Sequence, residues 1–262
     1  ACVVAVGAVD KHHTRRPDLV LVPIGISRPE RSNPQEQSKR EAMANRRQDA
    51  TVIVGGGHAA GSLLTTLLQK KYQQEVVLVG EEPHPPYQRP PLSKNYLAGD
   101  IDEESLYLKP RSVYDDAGYQ LRLGERAEHI DRDNKTITLS DQSTLKYGQL
   151  VLATGSRVRH LNAQGADLKG LHYLHDMADS DALREQFVPG KSLVIVGGGY
   201  IGLEVAAIAV KAGLKVTVLE AVERLMQRVT GPEISAFFYA KHRGAGVDVR
   251  LDTAVTGFEA GN

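Results

Sequence analysis

The sequence is poor in several things, and each shortage excludes a class of function. It holds one cysteine, Cys2. A single thiol cannot make an internal disulfide framework, a cysteine zinc cluster or a two-cysteine redox centre. It has no excess charge of either sign: 32 Lys and Arg balance 32 Asp and Glu. A neutral chain has no general attraction for nucleic acid or an anionic membrane, so neither is expected as a partner. No apolar run approaches the roughly 18 residues of a membrane span, and a cytoplasmic protein is expected. The nine histidines lack ligand-like spacing, so no metal site is expected. The length of 262 residues suits two domains.

Residues 1–49 read as a tail. An apolar run, Ala1 to Val9, leads into Lys11-His12-His13-Thr14-Arg15-Arg16, then a stretch broken by Pro17, Pro23, Pro29 and Pro34. Leu19–Val22 suits one short strand, but no helix or sheet period is sustained. A secretory leader puts basic residues before its apolar run, and here the order is reversed. Lys11–Arg16 reads as a solvated stretch, with an anion-binding arm as the sharper alternative. The chain opens on Ala1 rather than Met, so sequence upstream is expected, and Met43 stands where the domain itself can begin.

Two stretches carry the argument. Thr51-Val52-Ile53-Val54 is a β-branched run, followed by Gly55-Gly56-Gly57-His58-Ala59-Ala60, in which Gly55, Gly57 and Ala60 fit the G-x-G-x-x-G/A pattern. Leu63, Leu64, Leu67 and Leu68 then mark one helical face, Glu75–Val79 a second strand, and Glu81-Glu82 its acidic end. Each part has a physical reason. The first glycine permits the tight turn, and the second lets backbone approach a pyrophosphate. The third small residue keeps helix close to strand, and the helix N-terminus receives the phosphates. The strand-end acid accepts from ribose hydroxyls. The design recurs: strand Leu193–Val196, then Gly197-Gly198-Gly199-Tyr200-Ile201-Gly202, an apolar helix Leu203–Ala212 stopped by Gly213, strand Lys215–Leu219 and Glu220. One such fingerprint is weak, but two in full context predict two dinucleotides on one chain and electrons moving between them. The expected fold is α/β: two Rossmann-like dinucleotide-binding domains with parallel sheets, over 50–160 and 161–262, each with a small antiparallel β meander.

Between the two units stands Pro83-His84-Pro85-Pro86-Tyr87-Gln88-Arg89-Pro90-Pro91-Leu92-Ser93-Lys94, leading into a helix read over Leu92 to Leu97. Glu128–Thr138, Thr144–Tyr147 and Gln149–Leu152 read as a meander ending in Ala153-Thr154-Gly155. From about Asp49 to Asn262 the chain closely resembles the FAD-dependent ferredoxin and rubredoxin reductases of the pyridine nucleotide–disulfide oxidoreductase superfamily. Its most specific signatures are Arg89–Lys94, Ala153–Gly155 and Gly197–Glu204. The resemblance implies FAD in the first unit and NAD(P)H in the second. It implies that Gly55, Gly57, His58, Ala59 and Ala60 flank the FAD pyrophosphate, that Glu81 binds its ribose, and that Arg89 and Lys94 reach the pyrophosphate and flavin. It implies that Ala127 and Ala153, Thr154 and Gly155 also adjoin the FAD. Gly197, Gly199, Tyr200, Ile201 and Gly202 would hold the nicotinamide dinucleotide, and Glu204 would pair with Lys94 as the catalytic pair. Glu220 would take the adenosine ribose and repel a 2′-phosphate, favouring NADH over NADPH; Arg224 and Arg228 pull the other way. His175 stands where the family usually has an arginine for FAD contact.

Disulfide reductases of that superfamily carry a C-x4-C pair after the first ribose acid, and Pro91 to Asp100 has no cysteine. The resemblance therefore implies electrons leaving the flavin for an external acceptor, a small iron–sulfur protein such as a ferredoxin or rubredoxin. Alternatives are a redox-sensing flavoprotein like the apoptosis-inducing-factor relatives, an NADH oxidase, or the flavin module of a nitrite reductase. After helix Pro232–Arg243, strands are expected near Val247–Leu251 and Ala254–Phe258. The family continues past this point with a G-D segment and an interface domain, so a C-terminal truncation that weakens FAD binding is expected.

Overall fold

A computed structural model describes residues 3–6 and 50–260. The readings placed on Lys11–Arg16, Leu19–Val22 and Met43 lie outside the described residues. In chain order the strands are β1 (Val3–Val6), β2 (Thr51–Val54), β3 (Val76–Gly80), β4 (Gln120–Leu123), β5 (Ala127–Asp131), β6 (Thr136–Leu139), β7 (Thr144–Lys146), β8 (Gln149–Leu152), β9 (Leu171–Tyr173), β10 (Ser192–Val196), β11 (Lys215–Leu219) and β12 (Asp248–Arg250). The helices are α1 (His58–Gln69), α2 (Asn95–Ala98), α3 (Arg111–Asp116), α4 (Met177–Arg184), α5 (Tyr200–Lys211) and α6 (Pro232–Gly244). The chain divides into two compact units. Among described residues the first comprises 50–87 and 108–155, and the second comprises 3–6, 88–107 and 156–260.

The first unit is built on a parallel sheet ordered β4-β3-β2-β8. Its two central strands are buried at every position, which explains their uninterrupted apolar runs. Ile53, Val76 and Leu78 pack with Ala60 and Leu64 of α1 and Tyr114 of α3. The alternate residues Val52, Val54, Val77 and Val79 pack with Ile137, Leu139 and Tyr147. The period-2 geometry of the strand thus sends one set of side chains to the helices and the other to a three-stranded antiparallel sheet, β5-β6-β7.

Two readings of this region need correction. Gln149–Leu152 is not the last strand of the meander: it pairs in parallel with β2, Thr51 opposite Gln149. The chain turns at Gly148, where the amides of Gly148 and Gln149 both donate to the Ala50 carbonyl. The run Glu128–Thr138 is two strands, because the Asp131 carboxylate accepts from the amides of Asp133 and Asn134 and folds a turn between them.

The second unit has a five-stranded sheet ordered β12-β11-β10-β1-β9. β10, β11 and β12 are parallel, whereas β1 runs antiparallel to both β10 and β9. Among the described residues no separate meander accompanies this sheet, and its antiparallel pairings are those of β1. Four residues of the stretch read as a tail therefore form a strand. Ala254–Phe258 forms no strand, only a bridge of Gly257 to Gln164. The helix read over Leu92–Leu97 is a 3-10 turn, Pro90–Ser93, followed by α2. Pro90 and Pro91 lack N–H donors and start the turn, and the Lys94 amide closes it on the Pro91 carbonyl at 2.9 Å.

Candidate dinucleotide sites and a lysine–glutamate pair

In the first unit the strand order reverses between β2 and β8. Open parallel sheets bind ligands outside the carboxyl ends of their strands at such a switch point. The residues singled out by sequence gather there. Gly55 follows β2 with φ of +109°, and a Cβ on it would fall 2.2 Å from the Ala153 carbonyl oxygen and 2.9 Å from Thr154 Cα. Only glycine lets the two strand ends approach this closely. Gly57 caps α1 with extended backbone and no side-chain cap bond, and the space beside its Cα is open. The first-turn amides of a helix have no partner within it, and among the described residues nothing stands beside the Gly57 cap, the arrangement a pyrophosphate needs. His58 and Ala59 are exposed on this first turn, and Ala60 is fully buried against the strands.

Glu81 follows β3 and is exposed, with Arg126 Nη1 at 3.9 Å from its carboxylate. Its neighbour Glu82 is engaged otherwise: the Tyr87 hydroxyl donates to Glu82 Oε2 at 2.5 Å. Of the two acids, the exposed one is therefore Glu81. Ala127 opens β5 half-buried beside the meander core. Gly155 has φ of +65° and leads the chain out of the unit.

The second unit repeats this construction. The Gly197 amide donates to the Leu219 carbonyl at 2.8 Å, as the Gly55 amide does to Val79 at 2.8 Å. Gly199 caps α5 with no side-chain cap bond and open space at its Cα. A Cβ on Gly202 would lie 2.2 Å from the Gly197 carbonyl oxygen, so the helix seats directly on the glycine turn. Tyr200 and Ile201 are exposed on the first turn. Glu220 Oε2 accepts from the Gly198 amide at 2.7 Å, and Oε1 from the Val222 amide at 3.2 Å. The acid is thereby held at the mouth of the glycine loop. Arg224 is committed to its own loop, donating to the carbonyls of Thr230 (2.8 Å) and Gln227 (3.1 Å) and to Ser235 Oγ (2.9 Å). Arg228 is exposed.

The second unit also carries Arg89 and Lys94. Lys94 Nζ donates to Glu204 Oε2 at 2.7 Å and to the Pro90 carbonyl at 3.1 Å. The same Oε2 accepts from Ser93 Oγ at 2.5 Å. The pairing of Lys94 with Glu204 joins residues far apart in sequence, one just after the 3-10 turn and one on α5. Ser93 is a member of this cluster to which sequence reasoning gave no role; its adjacency to Lys94 within Arg89–Lys94 was the available signal. Helix α4 fixes the segment. Ser180 Oγ donates to the Leu92 carbonyl at 2.9 Å, Arg184 to the Tyr96 carbonyl at 3.2 Å, and Tyr96 to Asp181 at 2.9 Å. Burial, then the bond to Asp181, pushes the Tyr96 hydroxyl up to about 12.

Arg89 Nη1 donates to the His175 carbonyl at 2.7 Å. The His175 amide in turn donates to Asp179 Oδ2 at 2.8 Å, and Asp176 and Asp179 form a reciprocal capping box on α4. Burial holds the Asp179 carboxyl above its ordinary value, with Asp176 adding to the rise. His175 meets Arg89 through its backbone. Among the described residues no helix is long and apolar enough to cross a membrane.

The two glycine turns, each with a strand-end acid, fit an FAD and a nicotinamide dinucleotide on three counts: open Cα faces, helix N-termini capped by glycine alone, and exposed or loop-held carboxylates. Comparisons with known proteins agree. The chain is 47% identical over 178 residues to rhodocoxin reductase of Rhodococcus erythropolis, covering 68% of this chain and 42% of that protein. It is 47% identical over 185 residues to putidaredoxin reductase of Pseudomonas putida, covering 70% and 44%. The crystal structure of the covalent putidaredoxin reductase–putidaredoxin complex superposes with a TM-score of 0.76 at 43% identity, covering 80% of this chain and 51% of that one. The chain spans less than half the length of these two curated relatives. The family described as pyridine nucleotide-disulphide oxidoreductase matches residues 49–262, and this chain, with its two glycine cradles, belongs to that family.

Proposed function

We propose that this chain is the nucleotide-binding part of an NADH-dependent flavoprotein reductase that delivers electrons to a small iron–sulfur protein, a ferredoxin or rubredoxin. The observation that carries the reading is the pair of matching glycine cradles, together with a Lys94–Glu204 pair in place of a redox disulfide. The first unit holds FAD through Gly55, Gly57, His58, Ala59, Ala60, Glu81, Ala127 and Ala153–Gly155. The second holds NADH through Gly197, Gly199, Tyr200, Ile201, Gly202 and Glu220, and the exposed Arg228 is a further nucleotide contact in this reading. The assignment of each cradle to its nucleotide follows from the resemblance to ferredoxin and rubredoxin reductases.

Bound together, the two nucleotides would supply conversion of a hydride's electron pair into single-electron steps. The protein's part is positioning and electrostatics. The glycine turns bring backbone amides to the pyrophosphates. Lys94, kept in place by Glu204, offers a positive charge to stabilise negative charge on the reduced flavin, and Arg89 supports the flavin nucleotide. NADH over NADPH is supported by two arrangements: Glu220 sits where a 2′-phosphate would be repelled, and Arg224 is tied to three acceptors in its own loop. Cytoplasmic residence belongs to the same proposal.

The test is NADH-driven reduction of an added [2Fe–2S] ferredoxin, and separately of a rubredoxin, by the FAD-loaded protein. Catalytic reduction of either supports the reading. A reduced flavin that passes electrons to neither, while reacting freely with oxygen, would point instead to an oxidase.

A further inference from the structure

We propose that Ser93 is a positioning residue whose hydroxyl holds the Glu204 carboxylate on Lys94; the inference rests on the functional reading above and deepens it. Ser93 Oγ and Lys94 Nζ reach the same oxygen, Glu204 Oε2, at 2.5 and 2.7 Å. The ion pair by itself is a weak clamp. The Lys94 side chain is 47% exposed and that of Glu204 29%. A pair so open to water favours the joined arrangement by about fivefold at most, because solvent screens the attraction and a long lysine loses freedom in joining.

Ser93 is different in kind. It is buried, at 6% exposure, and its short side chain has one rotor to fix. Its backbone is held too. Ser180, fully buried, donates to the carbonyl of the preceding Leu92, and α4 grips α2 through Arg184 and Asp181. A hydroxyl projected from a fixed backbone donates to a carboxylate in a charge-assisted bond, which is roughly twice as strong as one between neutral groups. The geometry therefore makes Ser93 the anchor of Glu204, and Glu204 in turn the rest position of the Lys94 ammonium. Without the hydroxyl, Lys94 keeps its charge and loses its address.

The test has one readout that needs no bound nucleotide. Lys94 in wild type, Ser93→Ala, Glu204→Gln and the double variant is modified with acetic anhydride, and the rate at that residue is read by mass spectrometry. Loosening the pair exposes the ammonium, so each single variant is expected to label about three- to tenfold faster than wild type. If Ser93 acts through Glu204, the double variant labels no faster than Glu204→Gln alone, because residues in one network are non-additive. A purely structural serine would instead multiply the two effects. On the FAD-loaded protein, Ser93→Ala is expected to slow NADH-driven flavin reduction about tenfold. Lys94 labelling at the wild-type rate in Ser93→Ala, or multiplicative effects in the double variant, overturns the inference. A wild type in which NADH leaves the flavin oxidised overturns the functional reading, while the labelling still decides whether Ser93 holds the pair.

Discussion

Two alanine substitutions in the second glycine turn separate its structural task from its binding task. On Gly202 the added methyl would lie 2.2 Å from the Gly197 carbonyl oxygen and 3.2 Å from Ile195 Cγ2. The first contact is with backbone, which cannot rotate away, so α5 must lift by roughly an ångström. Overpacking of this kind costs about 1–3 kcal/mol, equivalent to a fall in Tm of roughly 2–10 °C for a chain of this size. In the first unit the same slot holds Ala60, fully buried, so the constraint is local to the tighter second turn. Gly199 is the opposite case. Its φ of −82° and ψ of −176° suit any residue, and an added methyl meets nothing within 4 Å. Gly199→Ala should therefore cost less than about 1 kcal/mol of stability, the small loss of a glycine N-cap. Its methyl nevertheless stands on the face where backbone must approach a pyrophosphate. NAD affinity is expected to fall at least tenfold, about 1.4 kcal/mol. Thermal unfolding and isothermal titration with NAD read the two effects separately. Gly199→Ala binding NAD as tightly as wild type would refute the assignment of this turn as the cradle. Gly202→Ala melting at the wild-type temperature would refute the seating argument.

Other expectations follow from the same contacts. Glu220→Gln keeps the size of the side chain and removes its charge, so the preference for NADH over NADPH, measured as a ratio of Kd values, should narrow by about tenfold; an unchanged ratio would remove Glu220 from nucleotide selection. Lys94→Ala should slow flavin reduction by roughly 10- to 100-fold, less than the loss of a fully buried donor because the site is partly exposed, or shift the flavin potential, and an unchanged rate and potential would remove it from the mechanism. Burial holds His242 and His172 below the ordinary 6.5. A depressed histidine contributes stability above 6.5 that is lost as pH falls through and below that value. His242→Gln should therefore flatten part of the stability loss on acidification from pH 6.5, followed by denaturant midpoints across pH; an identical profile for variant and wild type would contradict the burial argument.

The parts legible in the sequence are those specified locally. A strand buried on both faces must be almost wholly apolar, so Thr51–Val54 and Val76–Gly80 announce themselves. The positive-φ Gly55 and Gly197 have no residue substitute at the turn. Helix α6, opening on Pro232 and closing on Lys241, His242 and Arg243, carries its own start and stop signals. What depends on distant partners was not legible. Gln149–Leu152 has the same pattern whether it joins a meander or pairs with β2, and only the turn at Gly148 onto Ala50 decides. Val3–Val6 is a strand only because β9 and β10 offer it edges. Leu171–Tyr173 is three residues long, too short for any period to show. In the site, the likeness of Arg89–Lys94 to a family signature pointed to Lys94 and Glu204, but the hydroxyl beside the lysine gained meaning only when folding brought α5 against it.

If the two nucleotide cradles of one polypeptide serve one electron transfer, NADH must reduce the bound flavin. Mixing the FAD-loaded protein with NADH under anaerobic conditions and following the flavin's visible absorbance tests it most directly. Rapid bleaching that saturates with NADH concentration is the predicted result. A protein that takes up no FAD, or a bound flavin that stays yellow at saturating NADH, would contradict the account.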